Sequence, residues 1–182
     1  MIIGYSIFGA DNNSHMYEDA YDVKKCSKCG FVIDFEYVNP ILKIKRRVND
    51  FSYTYDGRAI ASLKFKEFCT RKNLKGIRFL ELPSDKEFFY MLVDNVVEFD
   101  HEKKGTRFKN YCDECKLYRA VAGATPVILK NVEKELESGI YATDINFGSG
   151  NELSEIIIIS NDIYKEMKIE KFRGITYDKI EI

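Results

Sequence analysis

The stretch that decides the fold is IASLKFKEFCTRKNLKGIRFLEL, residues Ile60–Leu82, because a related version of it occurs a second time. It aligns without a gap on IISNDIYKEMKIEKFRGITYDKI, residues Ile158–Ile180, at an offset of 98 positions. Internal similarity of this kind sets the architecture before any single element does. Four aligned pairs are identical: Ile60/Ile158, Ser62/Ser160, Gly76/Gly174 and Ile77/Ile175.

Each copy has the pattern of a strand end, a serine helix cap, a short helix, a glycine turn and a second strand. The predicted helices cover residues 63–73 and 161–171. Their apolar stripes agree, with Phe65, Phe68 and Cys69 in the first copy and Ile163 and Met167 in the second. The pattern favours two diverged halves of one ancestral unit; the alternative is a single β-α-β element that recurs because capped amphipathic helices resemble one another.

Three further stretches have β patterns. FVIDFEYV (Phe31–Val38) alternates apolar and polar residues, and DFSYTYDG (Asp50–Gly57) does so up to a turn signal. FFYMLVDNVVEF (Phe88–Phe99) has an Asp-Asn pair that predicts the corner of a hairpin. We therefore predict an α+β protein with mixed or antiparallel sheets. It forms one domain over residues 1–182, with two similar β-α-β halves at about 26–82 and 112–182.

Two Cys-x-x-Cys motifs precede the two copies, KCSKCGF (Lys25–Phe31) and YCDECK (Tyr111–Lys116). Each motif forms a tight knuckle, and two knuckles supply the four thiolates that a tetrahedral Zn²⁺ requires. The predicted ligands are Cys26, Cys29, Cys112 and Cys115. Four protein ligands leave no open position for water or substrate, so the predicted Zn²⁺ is structural and joins the two halves.

Other interpretations of the thiols stay open at this point. The two motifs can form disulfides or act in redox chemistry, or their thiols can stay unligated, because 82 residues separate Cys29 from Cys112 and an ordinary zinc ribbon has far fewer. The fifth thiol, Cys69, lies on an apolar helix stripe and is expected to be a buried small side chain. His15 and His101 each lie eleven residues before a knuckle, and we expect both in exposed loops.

Composition favours a folded protein of a reducing compartment. Apolar residues make up 45% and aromatic residues 14%, and five cysteines are too few for a disulfide-rich secreted scaffold. The first residues lack the basic and uninterrupted apolar regions of a signal peptide, and no stretch approaches the length of a membrane span. We therefore expect a cytoplasmic protein without membrane association.

Enzyme motifs do not appear in the chain. NFGSGNE (Asn146–Glu152) has glycines but lacks the Lys-Ser/Thr of a phosphate-binding loop, and there is no nucleophile-elbow motif. This favours a binding protein over an enzyme, with a hydrolase of unrecognised site as a weaker possibility. Charge is uneven: residues 43–78 carry eleven Lys or Arg against three acids, whereas residues 79–102 carry seven acids against one base. Such stretches form either solvated faces or a partner surface.

With both knuckles and both helix-glycine-strand units in place, the chain resembles the double-CXXCG motif family of bacterial immunity proteins from polymorphic toxin systems. The resemblance covers about residues 26–182. It implies a protein that binds a cognate toxin and occludes its active site, with no catalytic residues of its own. Under that interpretation the acidic stretch opposes a basic nuclease toxin and steers its association through Asp85, Glu87, Asp94, Glu98, Asp100 and Glu102.

The alternative is a zinc-stabilised nucleic-acid-binding protein. Its phosphate contacts would come from the basic residues 43–78, and its stacking platforms would be Phe51, Tyr53 and Tyr55. A pI near 6.2 gives no general attraction to phosphate, which makes this alternative the weaker of the two. The sequence leaves the oligomeric state and the identity of the toxin open.

Overall fold

The computed structural model describes all residues from Met1 to Ile182. It contains twelve strands and three α-helices. The strands are β1 (Ile2–Asp11), β2 (Phe51–Tyr53), β3 (Ala59–Ser62), β4 (Ile77–Leu82), β5 (Asp85–Val93), β6 (Val96–Val97), β7 (Arg107–Cys112), β8 (Leu117–Ala122), β9 (Ile140–Thr143), β10 (Gly148–Ser149), β11 (Ile157–Ile159) and β12 (Ile175–Glu181). The helices are α1 (Leu63–Arg71), α2 (His101–Lys104) and α3 (Asn161–Glu170). No helix has the length and apolar character needed to cross a bilayer.

Nine strands form one curled, mixed sheet in the order β4-β5-β3-β2-β1-β11-β9-β6, and β12 lies on the other edge of β1. Its parallel pairs are β1 with β2 and β6 with β9, and the other pairs are antiparallel. A separate antiparallel sheet has the order β10-β8-β7. The predicted α+β class with mixed sheets is therefore confirmed.

The two copies of the repeat form the same unit. In the first, β3 and β4 flank β5, and in the second, β11 and β12 flank β1. Across β5, Ile60 and Leu80 both pair with Tyr90. Across β1, their aligned counterparts Ile158 and Asp178 both pair with Ser6. The offset of 98 positions thus holds in the strand register as well as in the sequence.

The central strand of each unit comes from outside the predicted halves. β5 follows its unit directly, whereas β1 lies at the other end of the chain. In each unit a helix connects two parallel strands, and one antiparallel strand lies between them and pairs with both. The helices begin where predicted, and Ser62 Oγ accepts a hydrogen bond from the Phe65 amide. Ser160 occupies the same N-cap position, but its hydroxyl bonds to Gly139 and Asp162 instead.

The sheet separates a helix-side core from two hydrophobic clusters on its opposite side. On the helix side, Phe65, Phe68 and Cys69 of α1 pack with Ile163 and Met167 of α3, as the apolar stripes predict. Phe172, which follows α3, contacts the rings of Phe65 and Phe68 and joins the two units. The opposite side holds the knuckle cysteines and the β7–β8 hairpin. Successive residues of β11 face the two sides in turn, because side chains alternate along a strand.

Two predicted β features are wrong. Phe31–Val38 forms turns with one isolated bridge instead of a strand, because Phe31 and Val32 are both buried behind the first knuckle and the chain then bends. Asp94-Asn95 is not the corner of a hairpin, since β6 pairs with β9 instead of β5. The Asn95 side chain donates to the carbonyls of Lys75 and Ile140, and this directs the chain across to the second unit.

Candidate metal centre

Two matching turns hold the four knuckle cysteines. In the first, the Gly30 amide donates to the Cys26 carbonyl over 2.8 Å, and in the second the Lys116 amide donates to the Cys112 carbonyl over the same distance. Gly30 has a φ of +70° and Lys116 a φ of +61°. The first turn lies in the long connection between β1 and β2, and the second closes the β7–β8 hairpin. The chain therefore builds one knuckle twice, once with glycine and once with lysine in the left-handed position.

The sulfur positions fit a tetrahedral metal site. Cys26 Sγ lies 3.8 Å from Cys112 Sγ, and Cys29 Sγ lies 3.8 Å from Cys115 Sγ. All four sulfurs lie within 4.8 Å of one another. A tetrahedral ion with metal–sulfur bonds of about 2.3 Å places its ligands about 3.8 Å apart. The four predicted ligands are thus brought together at the spacing that such an ion requires.

The cluster is buried at its base and bridged by polar side chains at its tip. Cys26 and Cys112 are 4% and 5% exposed and belong to the core on the hairpin side of the sheet. Above them, Lys28 pairs with Asp113 at 2.6 Å, and the Ser27 hydroxyl donates to Glu114. Each knuckle therefore contacts the other through its sulfurs and through the two residues between them.

Backbone hydrogen bonds and burial shift the pKa values of three of the thiols, those of Cys112, Cys115 and Cys29. The amides of Cys115 and Glu114 donate to Cys112 Sγ and lower the pKa of Cys112 to about 7. Burial and the adjacent thiols raise the pKa of Cys115 to about 12, and burial also raises the pKa of Cys29. Mutual repulsion thus opposes a state with four thiolates, and a bound cation supplies the positive charge that permits it.

The remaining cysteine and the two histidines lie apart from this cluster. Cys69 is 2% exposed in the helix-side core, where burial raises its pKa to about 12, as expected for a small apolar side chain. His15 packs against the ring of Tyr55, and His101 begins α2 and packs against Phe108. The group that could hold a metal ion therefore consists of the four cysteines.

Three of the six predicted acidic partner residues form salt bridges within the protein. Asp85 is 5% exposed, and its carboxylate accepts hydrogen bonds from Arg47, which also pairs with Glu87. Asp94 pairs with Arg78 at 2.8 Å, and this bond lowers the pKa of Asp94. Asp85 and Asp94 lie near opposite ends of β5 and its loop, which places them about 30 Å apart at the usual rise of a strand.

The other three acidic residues lie in and before α2. The Asp100 carboxylate accepts from the Lys103 amide as the N-cap of this short helix. Glu98 and Glu102 are exposed and take part in no salt bridge. The six residues together do not form one continuous acidic surface.

Just over half of the cations in residues 43–78 are also paired within the protein. Six of these eleven cations pair with carboxylates: Lys45, Arg47, Lys64, Arg71, Lys72 and Arg78. Of the suggested stacking platforms, Phe51 is fully buried, Tyr53 packs against the helix-side core and Tyr55 is exposed. These placements remove most of the basis for nucleic-acid binding through this stretch.

Arg58 is an internal anchor that the sequence did not distinguish from surface arginines. It is 3% exposed, and its guanidinium donates to the backbone carbonyls of Asp56, Asn151 and Leu153. The rings of Tyr17 and Phe35 lie within 6 Å of it. The only sequence signal is its place directly after the Asp56-Gly57 turn, which is too common a pattern to identify a buried cation.

The β7–β8 hairpin was also missed as a structural element. Its signal is the alternation of charged and aromatic residues on both sides of the second knuckle, in RFKNYC and LYRAVA. The hairpin presents the second knuckle at its turn and exposes Tyr111 and Tyr118 on its strands.

Comparisons with protein family models, with curated proteins and with solved structures give no match. The chemistry of the site is therefore argued from its own atoms. Four sulfurs at tetrahedral spacing can fill the coordination sphere of one metal ion. A sphere filled by protein ligands holds the chain together and leaves no position for a substrate.

Proposed function

We propose that this protein is a cytoplasmic immunity protein that binds a cognate bacterial toxin and neutralises it by occluding its active site. The observation that carries the proposal is the convergence of Cys26, Cys29, Cys112 and Cys115 at tetrahedral spacing. A metal centre with no open coordination position has a structural role. The function of the protein is therefore carried by its surface. The resemblance of the paired knuckles and repeated units to double-CXXCG immunity proteins supports the same conclusion.

Zinc is the proposed occupant of the cluster. Zn²⁺ favours four thiolates in a tetrahedron and has no redox chemistry, and when bound it stabilises the fold as a cross-link. The cross-link joins segments 86 residues apart in the chain. Iron is the other common occupant of four-thiolate tetrahedra, and metal analysis of the purified protein distinguishes the two.

Inhibition by occlusion requires a complementary surface and no reactive group on the inhibitor. Protein interfaces of this type are rich in tyrosine and arginine and are held rigidly before binding. The β7–β8 hairpin exposes Tyr111 and Tyr118, whose rings contact each other, and its strands also carry Arg107 and Arg119. These features support a binding role for the side of the molecule that the metal stabilises.

The test pairs the protein with the C-terminal domain of the protein encoded by the gene directly upstream, expressed as the candidate toxin domain. We expect co-expression to restore growth of cells that produce this domain, and we expect the two purified proteins to form a stoichiometric complex by calorimetry. The Cys69→Ala variant lacks a thiol outside the cluster, and we expect it to protect the cells and bind like the wild type. A toxin domain that stays fully toxic and does not bind the zinc-loaded protein would refute the proposed function for this pair.

A further inference from the structure

We infer that the partner-binding surface lies on the β7–β8 hairpin and that it accepts an acidic loop of a protein partner. The inference rests on the proposed function and specifies the chemistry of its partner. It places the contact on a cationic groove instead of the acidic residues discussed above. The residues of the groove that matter here are Arg107, Lys109, Ala120, Ala122 and Ser149.

The groove has a basic wall and a floor of small residues. Arg107 pairs with Ala122 and Lys109 pairs with Ala120 across the two strands of the hairpin. On the other side of β8, Ser149 of β10 pairs with Ala120. The space above these small residues measures about 530 Å³. A loop of a partner therefore fits over the alanines with its carboxylates beside the two cations.

The cations of this region are free, whereas six of the eleven in residues 43–78 are paired. Residues 102–122 contain six Lys or Arg and three acids. None of the six takes part in a salt bridge within the protein. Of the three acids, Asp113 is neutralised by Lys28 of the first knuckle, which leaves Glu102 and Glu114 against the six cations. The region therefore presents uncompensated positive charge, which selects an anionic occupant.

Exposed aromatic rings lie on the same hairpin as the free cations. Tyr111 is 52% and Tyr118 is 40% exposed, and their ring centroids lie 5.0 Å apart. Tyr118 also contacts the ring of Phe108 at 5.1 Å. Tyrosine and arginine are the residue types that contribute most binding energy in protein interfaces. The rings hold one another in place, so little side-chain entropy is lost when a partner covers them.

The cysteine cluster fixes the hairpin that carries the groove. Cys112 is the last residue of β7, and β8 begins one residue after Lys116. A metal at the turn therefore holds both strands, and with them Arg107 and Lys109, in register against the first knuckle. This gives the structural metal a role in recognition, because it orders the surface before the partner arrives.

A protein partner fits these features better than a nucleic acid does. Tyr111 and Tyr118 pack against each other at an interplanar angle of 53°, so they do not form an open platform for successive bases. The formal net charge of −1 provides no general attraction to a phosphate backbone. Arg107 at the groove wall suits a carboxylate, which it can bind through two parallel hydrogen bonds.

The test uses the double variant Arg107→Glu/Lys109→Glu and the matched control Lys75→Glu/Lys165→Glu. All four lysines and arginines are exposed and free of salt bridges, and both variants change the charge equally. The first probe is the upstream toxin domain, measured by calorimetry with the zinc-loaded proteins. We expect the groove variant to bind at least tenfold more weakly and the control to bind within twofold of the wild type. A third variant, Ala122→Trp, fills the groove without changing charge and should also weaken binding.

A second set of probes separates this inference from the proposed function. Fluorescein-labelled poly-glutamate and a labelled 20-nucleotide single-stranded DNA are titrated by fluorescence anisotropy at low salt. We expect wild-type protein to bind poly-glutamate and the groove variant to lose that binding. If the toxin domain binds both variants equally, the groove is not the surface although the immunity function stands. If no toxin domain binds, the poly-glutamate titration tests the inference alone. Wild-type protein that does not bind poly-glutamate overturns it. Wild-type protein that binds the DNA more tightly than poly-glutamate, and loses the DNA binding in the groove variant, overturns it as well.

Discussion

The sulfur atoms of Cys26 and Cys112 lie 3.8 Å apart although 86 residues separate them in the chain. Neither knuckle belongs to the large sheet. The first lies in the irregular segment before β2, and the second closes the small hairpin, so the cluster connects an irregular segment to the separate small sheet. A metal at this point therefore stabilises long-range structure and not a local turn.

Removing one ligand is predicted to release the metal and lower stability. Closing a loop of this length contributes about 4 to 5 kcal/mol by chain entropy alone, which sets the scale for Cys26→Ser or Cys112→Ser. We expect zinc content to fall from one ion per chain to none and the melting temperature to drop sharply. Cys69→Ala should keep its metal. Variants that retain one zinc and an unchanged melting temperature would show that the cluster is not a cross-link.

The two knuckles make a matched pair for testing backbone strain. Lys116 has a φ of +61° and Gly30 a φ of +70°, and a Cβ at Gly30 would meet no atom within 4 Å. Any effect of substitution is therefore conformational. We expect Lys116→Gly to stabilise the zinc-loaded protein by about 1 kcal/mol and Gly30→Ala to destabilise it by about as much. Urea denaturation measures both, and shifts of the same sign would contradict the explanation.

The sequence predicted the elements whose signals are local or repeated. The serine caps and apolar stripes placed α1 and α3 within two residues at their ends, and the two Cys-x-x-Cys motifs identified the four cysteines that the fold brings together. These predictions worked because helix periodicity and cysteine chemistry depend on neighbouring residues. The aligned strands of the repeat were likewise visible, including β4 and β12.

What the sequence did not predict depends on distant partners. Phe31–Val38 has the alternation of a strand, yet the knuckle before it buries two adjacent residues and turns the chain. The carboxylates of Asp85 and Asp94 are paired with Arg47 and Arg78, which lie 38 and 16 residues away in the chain. Local charge counts cannot show such pairing. For the same reason, charge counts drew attention to residues 43–78, where six of the eleven cations are paired, and not to the unpaired cations of the hairpin.

Arg58 is predicted to be among the most sensitive positions outside the cluster. Its guanidinium donates to carbonyls of Asp56, Asn151 and Leu153, so it joins the segment before β3 to the segment before β11. Arg58→Lys cannot reach all three acceptors and leaves a buried charge poorly solvated. We expect a loss of about 2 to 4 kcal/mol. Arg46→Lys, at an exposed position, should change stability by less than about 0.5 kcal/mol in the same urea titration.

Stability is predicted to fall in alkali because several tyrosines are buried. Tyr90 is 3% exposed and donates its hydroxyl hydrogen to the Phe35 carbonyl, and burial raises its pKa. Burial also raises the pKa of Tyr17 to about 12. A raised pKa in the folded state means that stability is complete below the unfolded value, near pH 10, and declines as pH rises above it.

Tyr90→Phe tests this dependence at a single group. Each buried tyrosine contributes about 1.4 kcal/mol of lost stability per pH unit above pH 10, so the variant should show a shallower decline between pH 10 and 11.5. At pH 8 it should be less stable than wild type by about 1 kcal/mol, since the Phe35 carbonyl loses its partner. Tyr21→Phe, at a side chain that is 95% exposed, should follow the wild type throughout. Urea midpoints across this range make the measurement, and parallel curves for Tyr90→Phe and wild type would show that Tyr90 ionises normally in the folded protein.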